Sequence, residues 1–243
     1  MEGKPLSGQL ALVTGASRGI GAATAQALAA AGAHVILTAR TTKDLEAVED
    51  RIHASGGKST IAPLDLTEAE SIGKLATAIA GRWDKLDIMV LNAAMLGTLG
   101  PLHYANAKEF AQLFTLNVSA QQALIAAFDP LLRASNQLGD GPRIIGLTSS
   151  VAAASKAYWG PYAASKAAFE ALLTSYGLEN QNTAQMKIAL VDPGATRTAM
   201  RAKAYPGETP DSVKDPAIVA AQIVALIVGG FENGFRMRVN PEV

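Results

Sequence analysis

Short apolar runs typical of β-strands alternate with longer segments of helical periodicity along this chain. The runs are LALVT, HVILTA, STIAPL, LDIMVLN, RIIGLTSS, MKIALVD and, more weakly, FRMRV. The helical patterns between them cover residues 20–31, 43–54, 68–82, a long tract that ends at 133, 162–178 and 215–228. Strands that are separated by helices predict βαβ units and a parallel α/β sheet. Because several runs are apolar without alternation, helices are expected on both faces of a doubly wound sheet.

The composition excludes several classes of protein. The chain has 243 residues and no cysteine, so disulfides and thiolate metal sites are impossible. Only His34, His53 and His103 are available as histidine ligands, and we expect no metal site. Lysine plus arginine and aspartate plus glutamate balance at 21 each, which argues against nucleic acid or an anionic membrane as the main partner.

The N-terminal sequence MEGKPLSGQL carries no apolar targeting region. Polar residues interrupt the alanine-rich segments before they reach the length of a membrane span. The length of the chain falls within the single-domain range of α/β proteins. We therefore expect one domain over residues 1–243, located in the cytoplasm and without a membrane partner.

The stretch TGASRGIG, residues 14–21, joins the first strand to the first helix. Its glycines, Gly15, Gly19 and Gly21, allow backbone angles that are closed to other residues and let a ligand touch the main chain. The helix that follows presents unpaired N–H groups and a partial positive charge, which suit a phosphate. The spacing G-x-x-x-G-x-G is not the commonest one, but its position at the first strand-to-helix turn predicts a dinucleotide site rather than an ordinary turn.

Residues with binding chemistry follow the ends of successive predicted strands. They are Gly15, Arg40, Asp65, Asn92, Ser149 and Pro193. Each could be an ordinary turn or cap residue when taken alone. In a doubly wound sheet, however, ligands bind beyond the carboxyl ends of the strands, where all of these positions meet. We predict that this edge of the sheet holds the binding site.

Two tyrosines have a lysine four residues later: Tyr104 with Lys108, and Tyr162 with Lys166. This spacing places both side chains on one face only if the segment is helical. The sequence GPYAASKAAFEALL is a strong helix start, whereas YANAK precedes a predicted N-cap. Tyr162 also follows Ser149, at a predicted strand end, by 162 − 149 = 13 residues. We therefore select Tyr162 and Lys166 as the candidate catalytic pair.

The chemistry of this pair depends on the pKa of the phenol. A tyrosine with a pKa near 10 is a poor acid or base at neutral pH, and an adjacent ammonium can lower that pKa by about 1–3 units. With a nicotinamide as the hydride carrier, Tyr162 would protonate a carbonyl oxygen during reduction or accept the proton of an alcohol during oxidation. Ser149 would hydrogen-bond the same oxygen.

Two arginines indicate which dinucleotide is used. An acidic residue about 20 positions after the glycines is typical of NAD sites, whereas an arginine accommodates the 2′-phosphate of NADP. Arg40 lies 40 − 21 = 19 residues after Gly21, and Asp44 already belongs to the next helical pattern. Arg18, within the glycine turn, would approach the same phosphate. We expect NADP(H) to be preferred over NAD(H), the alternative being that both arginines are only surface residues.

The sequence resembles the short-chain dehydrogenases/reductases in their short single-domain branch. The resemblance covers most of the chain and is carried by motifs in the family's order: TGASRGIG, Asp65–Leu66, LNAA at 91–94, LNVS with Asn117, Ser149 with YAASK, and DPGATRT at 192–198. It implies a single Rossmann-like domain and an oxidoreductase acting on a small carbonyl or alcohol substrate. The stretch PGATRTAMRAKAYPGETP further resembles a bacterial subgroup of unassigned substrate.

The resemblance also implies roles for individual residues. Asp65 should meet the adenine, Asn92 should steady the sheet beside the cofactor, and Lys166 should bind the nicotinamide ribose as well as tune Tyr162. Asn117 should complete a Ser–Tyr–Lys–Asn set through a water-linked proton relay. The full expected cofactor site is Gly15, Ser17, Arg18, Gly19, Ile20, Gly21, Arg40, Asp65, Leu66, Asn92, Ala93, Tyr162, Lys166, Pro193, Gly194, Thr196 and Thr198.

The C-terminal third departs from the family pattern and contains an irregular stretch. The usual glycine-rich closing motif is replaced by VNPEV, although a homo-oligomer, a dimer or a tetramer, is still expected. Residues 195–216 hold three prolines and a glycine, and we predict a substrate lid there. Its Arg197, Arg201 and Lys203 could receive an anionic group, but a solvated cationic face explains them more simply.

Three functions are compatible with these residues. An NADP(H)-dependent carbonyl reductase is the preferred interpretation, and an oxidative NAD-dependent alcohol dehydrogenase is the nearest enzyme alternative. A dinucleotide-binding sensor without catalysis is the alternative from another class. Ser149, Tyr162 and Lys166 argue against the sensor, because a binding module needs no tuned phenol.

Overall fold

The computed structural model describes residues 3–135, 141–183 and 185–240. In this part of the chain, seven parallel strands form one sheet. The strands are β1 (Leu10–Thr14), β2 (His34–Ala39), β3 (Lys58–Pro63), β4 (Ile88–Leu91), β5 (Arg143–Leu147), β6 (Lys187–Asp192) and β7 (Phe235–Arg238). Each strand lies within or next to one of the apolar runs, so the α/β prediction is confirmed, including the weak last strand.

Helices connect the strands and cover both faces of the sheet. They are α1 (Gly19–Ala30), α2 (Thr42–Ala54), α3 (Ala69–Ala80), α4 (Ala107–Phe114), α5 (Ala120–Arg133), α6 (Gly160–Asn180), α7 (Ala199–Ala204) and α8 (Pro216–Gly229). Among the described residues, no helix combines the length and the apolar character needed to cross a membrane.

The order of the strands creates one crevice at the carboxyl edge. The sheet runs β3-β2-β1-β4-β5-β6-β7, so the chain crosses from one side of β1 to the other between β3 and β4. The loops that follow β1 and β4 therefore leave in opposite directions, which is the position where ligands enter doubly wound sheets. Gly15 and Asn92 come directly after these two strands.

Successive residues of each central strand pack into different cores. Val13 belongs to a core formed with α1, α2 and α8, whereas the neighbouring Leu12 belongs to a core formed with α3, α5 and α6. The alternation follows from the two-residue period of a strand. Because both faces are covered by helices, the apolar runs read as nearly continuous, and the sheet can offer a ligand only its edges.

The sequence pattern suggested one long helical tract before residue 133. The structure shows instead that this tract is divided into segments of different helical type. A 3₁₀ turn (Leu102–Tyr104) precedes α4, and a π-helical segment (Thr115–Ser119) joins α4 to α5. Single π turns inside helices insert an extra residue and often occur at functional sites. The inserted segment contains Asn117, one of the expected catalytic residues.

Gly146 in β5 determines how closely α6 approaches the sheet. A Cβ atom at this position would lie 2.3 Å from Cδ1 of Leu173 and 3.1 Å from Cζ of Phe169, both on α6. Such distances are too short for packed carbon atoms, so only glycine leaves room for the helix. Since α6 carries Tyr162 and Lys166, this contact also sets the height of both side chains above the sheet.

We expect Gly146→Ala to destabilise the fold by about 1–3 kcal/mol, because the added methyl group overpacks the contact with α6. Gly73→Ala is the matched control, since Gly73 lies in α3 with nothing within 4 Å of a Cβ atom. That control should gain about 0.5–1 kcal/mol from helix propensity. Urea unfolding measures both changes, and equal stability of the two variants would contradict this account of α6.

Candidate functional site

Hydrogen bonds join the two chain segments that leave the crevice. The side-chain amide of Asn92 donates to the carbonyl oxygens of Thr14 at 2.8 Å and Gly15 at 3.3 Å. The hydroxyl of Thr14 accepts the N–H groups of Asn92 and Ala93 at 2.9 and 3.0 Å and donates to the carbonyl of Val90. The ends of β1 and β4 are thus fixed to each other beneath the glycine turn.

The glycine turn leaves room on its outer side and none on its inner side. A Cβ atom at Gly21 would lie 2.3 Å from the carbonyl oxygen of Gly15 and 2.5 Å from the amide of Asn92. At Gly19, which has φ +56°, the nearest atom is Cγ2 of Thr198 at 3.4 Å. Gly21 is therefore required by the fold, whereas Gly19 faces the space beside Thr198. A narrow backbone cradle of this kind fits the pyrophosphate of a dinucleotide.

The two arginines expected at a 2′-phosphate are both exposed on the outer side of this edge. Arg18 is the N-cap residue of α1, and Arg40 follows β2 directly. Within the described residues, neither forms an ion pair with a carboxylate of the chain. Asp65 accepts hydrogen bonds from the N–H and hydroxyl of Thr67, which lower its pKa, and the charge of Arg40 lowers it further. Arg40 and Asp65 therefore lie near each other, as expected.

The other residues expected at the first half of the cofactor site are mostly packed into the protein. Ser17 is half-buried, and Ile20 packs against the core that contains α1. Leu66 is buried in the opposite core, against which Ala93 also packs. Because the side chain of Leu66 is enclosed, contact with a ligand would have to come from its main chain.

The candidate catalytic residues lie at the edge beyond β5. Lys166 is buried, and its ammonium donates to the carbonyl of Leu147, the last residue of β5, at 2.7 Å. Ser149 follows two positions later in extended backbone, and its side chain makes no cap hydrogen bond. Tyr162 lies one helical turn before Lys166, is 6% exposed, and directs its hydroxyl to the sulfur of Met200 at 3.9 Å. The i,i+4 geometry expected from the sequence is present on α6.

Burial controls the ionisation of this pair. It raises the pKa of the Tyr162 phenol above its ordinary value, and the negative charge of Asp192 adds to the increase. It lowers the pKa of the Lys166 ammonium to about 8, although the charge of Glu170 opposes this change. Both groups are driven toward their neutral forms because charge is costly away from water. The pKa of Tyr162 thus moves in the direction opposite to the one expected from the sequence, because the phenol is buried.

Asn117 is buried on the π-helical segment, and its side chain is fully engaged. Its amide oxygen accepts the N–H of Met95 at 2.9 Å. Its amide nitrogen donates to the carbonyl of Met95 at 2.9 Å and to the hydroxyl of Ser165 at 3.0 Å. Ser165 precedes Lys166 on α6, so Asn117 connects the loop after β4 to the catalytic helix.

The Pro193–Thr198 stretch lies at the same edge, opposite the glycine turn. The hydroxyl of Thr196 donates to the carbonyls of Pro193 and Gly194 at 2.9 and 3.3 Å. Gly194 has φ +61°, and a Cβ atom there would lie 2.9 Å from the ammonium of Lys214. The hydroxyl of Thr198 accepts a hydrogen bond from the backbone N–H of Arg201 and so caps the N-terminus of α7. The hydroxyl groups of this stretch therefore shape its backbone.

The cations of residues 195–216, interpreted from the sequence as a solvated face or as receptors for an anion, are partly paired with carboxylates. The guanidinium of Arg197 forms ion pairs with Asp211, at 3.4 Å, and with Asp215. Lys203 is exposed on α7. Because Arg197 is already paired with carboxylates of the same segment, an acidic substrate would have to compete with them for its guanidinium.

Arg201 is paired more tightly. Its guanidinium binds both carboxylate oxygens of Glu208 at 2.6 Å and lies 3.7 Å from the ring centroid of Tyr205. The hydroxyl of Tyr205 accepts a hydrogen bond from Lys156 at 2.9 Å, and the same ammonium lies 5.6 Å from the ring of Trp159. These contacts attach α7 to the loop that precedes α6.

Several residues that hold the site together are not among those that the sequence indicated. Thr14 begins the glycine-rich stretch and was not selected, although its hydroxyl organises both loops of the crevice. Ser165 lies inside the motif YAASK, and its hydroxyl holds Asn117 by a hydrogen bond. Nothing in the sequence marked it, because it takes no part in the proposed reaction. Met200 gave no signal, because a methionine in an irregular stretch is not distinctive. Tyr104, the other tyrosine with a lysine four residues later, is 79% exposed in a 3₁₀ turn, whereas Tyr162 is buried.

A seven-stranded parallel sheet with a glycine turn after β1, and a serine, tyrosine and lysine beyond β5, defines a class of dinucleotide-dependent oxidoreductases. The family model described as short chain dehydrogenase matches residues 9–209. The chain belongs to the short-chain dehydrogenase/reductase family, as its motifs predicted.

Individual relatives agree with this assignment. The chain is 36% identical over 215 residues to the uncharacterized oxidoreductase YciK of Escherichia coli K12. The aligned region covers 87% of this chain and 83% of that protein. It is 32% identical to a short chain dehydrogenase structure from Salmonella enterica serovar Typhi, with 99% of each chain covered and a TM-score of 0.92. A candidate short chain dehydrogenase of Shigella flexneri 2a, solved in complex with NADP, is 33% identical, with a TM-score of 0.91 and coverage of 99% and 100%.

The pKa of Lys166 can be tested through stability. Because its pKa is about 8 in the fold and near 10.4 in the unfolded chain, the unfolded chain binds more protons between these values. Burying the charged ammonium therefore lowers the free energy of unfolding most below pH 8, and this loss of stability diminishes as the pH rises toward 10. Relative to Lys166→Met, we expect the wild-type chain to gain about 2 kcal/mol between pH 7 and pH 10. Urea unfolding of both chains at the two pH values measures this gain, and a constant difference would contradict the shift.

Proposed function

We propose that this protein is an NADP(H)-dependent oxidoreductase that interconverts a small carbonyl compound and its secondary alcohol, with Tyr162 as the general acid or base. One observation carries the proposal: on α6, the phenol of Tyr162 and the ammonium of Lys166 lie one turn apart at the carboxyl edge of the sheet, and Lys166 is anchored to the carbonyl of Leu147. A pair of this kind moves a proton and needs a separate carrier for the hydride.

The glycine turn and the Pro193–Thr198 stretch would hold the carrier. The backbone of Gly19 faces Thr198, so a pyrophosphate at the glycine turn would lie beside the opposite loop. When bound, the nicotinamide cofactor supplies or accepts the hydride. Asn92 would keep the two loops together, and Asp65 would lie at the adenine end of the site.

The protein's own residues then handle the oxygen of the substrate. Tyr162 donates its proton to the carbonyl oxygen during reduction, and its raised pKa keeps it in the protonated form needed for that step. Lys166, with a pKa of about 8, is mostly charged at neutral pH and stabilises the phenolate that remains. Ser149 donates a hydrogen bond to the same oxygen and orients it.

In the proposed reaction, Asn117 would be a positioning residue. Both hydrogens of its side-chain amide are engaged by Met95 and Ser165, so the side chain holds α6 in register with the loop after β4. A water-linked proton relay that includes Asn117 stays a prediction. So do the homo-oligomer, the cytoplasmic location, the single-domain organisation and the substrate lid at residues 195–216.

NADP(H) is the proposed cofactor for two reasons. Arg18 and Arg40 are exposed cations without a carboxylate partner in the described part of the chain, one at the start of α1 and one directly after β2. The similar protein from Shigella flexneri binds NADP. A guanidinium is planar, always charged and able to bind two phosphate oxygens at once.

Replacement of Tyr162 tests the catalytic assignment. We expect Tyr162→Phe to lower kcat/KM for a ketone about 100-fold or more, because the proton donor is lost, while the Kd of NADPH changes less than about twofold. Tyr104→Phe is the matched control and should keep full activity, since the side chain of Tyr104 is 79% exposed in a 3₁₀ turn. Loss of turnover in Tyr104→Phe but not in Tyr162→Phe would show that the wrong pair was selected.

Replacement of Arg40 tests the cofactor preference. We expect Arg40→Asp to lower the ratio of kcat/KM with NADPH to that with NADH about 100-fold, because an attraction of the phosphate becomes a repulsion. Arg51→Asp makes the same change of charge in the last turn of α2, at the opposite edge of the sheet, and should leave the ratio unchanged. A wild-type protein that uses NADH as efficiently as NADPH would refute the assignment.

A further inference from the structure

The ring of Tyr162 lies among apolar side chains. Tyr162 belongs to a small hydrophobic cluster, separate from the two cores of the sheet. We call it the Tyr162 cluster, and it also contains Leu96, Leu113, Val151, Ala163, Trp159 and Met200. The rings of Trp159 and Tyr162 meet edge to face with their centroids 6.0 Å apart. A substrate that reaches the phenol must therefore lie against hydrocarbon and aromatic surface.

Met200 lies at the position that a substrate oxygen needs. Its sulfur is 3.9 Å from the Tyr162 hydroxyl and accepts the hydrogen of that hydroxyl. A carbonyl oxygen that takes a proton from Tyr162 must itself come within about 3 Å of the hydroxyl. The thioether and the carbonyl group cannot both do so. Methionine is unbranched and adaptable, so its side chain can leave this position when another apolar group replaces it.

The charges near the cluster favour a neutral substrate. The guanidinium groups of Arg197 and Arg201, which the sequence offered as receptors for an anion, are occupied by Asp211, Asp215 and Glu208. A carboxylate brought into the cluster would lose its hydration, and Arg197 and Arg201 could offset that loss only by giving up their own carboxylate partners. The raised pKa of Tyr162 shows that burial already penalises negative charge there.

Resting on the proposed reaction, we propose that Met200 is a specificity-determining residue that fills the carbonyl position until substrate binds. The substrate is a neutral aldehyde or ketone whose apolar group replaces the Met200 side chain against Trp159. The side chain at position 200, here Met200, limits the size of that apolar group. Lys156 remains at the margin, where its ammonium is held by the hydroxyl of Tyr205.

The test uses three aromatic ketones with the same reacting group: acetophenone, its para-butyl derivative and its para-carboxylate. Trp83→Phe leaves Trp159 as the single tryptophan of the chain, so its fluorescence reports binding in the presence of NADP⁺ without requiring turnover. We expect acetophenone to bind at least tenfold more tightly than the para-carboxylate. Equal or tighter binding of the carboxylate would overturn the neutral substrate class.

Substitution of Met200 tests the position of the substrate. In the same background, Met200→Ala should bind the para-butyl ketone at least fivefold more tightly than the parent, and Met200→Leu, which restores the bulk, should lose that gain. Lys203→Ala, an exposed change on the same helix, is the control without effect. No gain in Met200→Ala, an equal gain in Met200→Leu, or no binding of either neutral ketone would overturn the role of Met200.

A further variant separates this proposal from the reaction on which it rests. Tyr162→Phe should abolish turnover of every ketone while their order of binding, neutral above acidic, is retained. If Tyr162→Phe still turns over these ketones, the proposed reaction fails, and the binding measurements decide the role of Met200 on their own. If Tyr162→Phe is inactive and the Met200 variants bind like the parent, only the role of Met200 fails.

Discussion

The close approach of the chain segments that follow β1 and β4 is the contact on which the site depends. Asn92 and the hydroxyl of Thr14 tie these segments together, and the carbonyl of Gly15 lies so near to Gly21 that no side chain fits between them. Because the turn is this tight, α1 begins directly at the sheet edge. Its N-terminus therefore faces the crevice, where the positive end of the helix dipole is most effective.

One end of the candidate site is exposed to solvent, and the other end is buried. Arg18 and Arg40 remain in solvent, where a guanidinium keeps its charge without cost, whereas Tyr162 and Lys166 are enclosed by α6 and the Tyr162 cluster. This difference follows from position along the same edge of the sheet. It suits a ligand that carries phosphates at one end and a reacting ring at the other, because electrostatic interactions strengthen where water is excluded.

The sequence predicted the sheet because strands and helices leave local patterns, and the candidate site residues were indicated by patterns of the same kind. Apolar runs, a glycine turn and a tyrosine four residues before a lysine can be read without knowing the fold. The pairing of Arg197 with Asp211 and Asp215 could not be read, since charges 14 and 18 residues apart have no periodic relation in an irregular stretch. The direction of the Tyr162 pKa also escaped prediction, because it depends on how completely neighbouring elements enclose the phenol.

The π-helical segment has a consequence for the directions in which the continuous helix from α4 to α5 presents its apolar side chains. One residue more than a regular helix needs turns everything after it by about 100° around the axis. Leu113 on α4 thereby faces the Tyr162 cluster, while Leu124 and Phe128 on α5 face the core of the sheet. Removal of a single residue would restore a regular helix and point one of these two faces into water. The extra residue is thus what allows one helical rod to bury two faces that a regular helix would point in other directions.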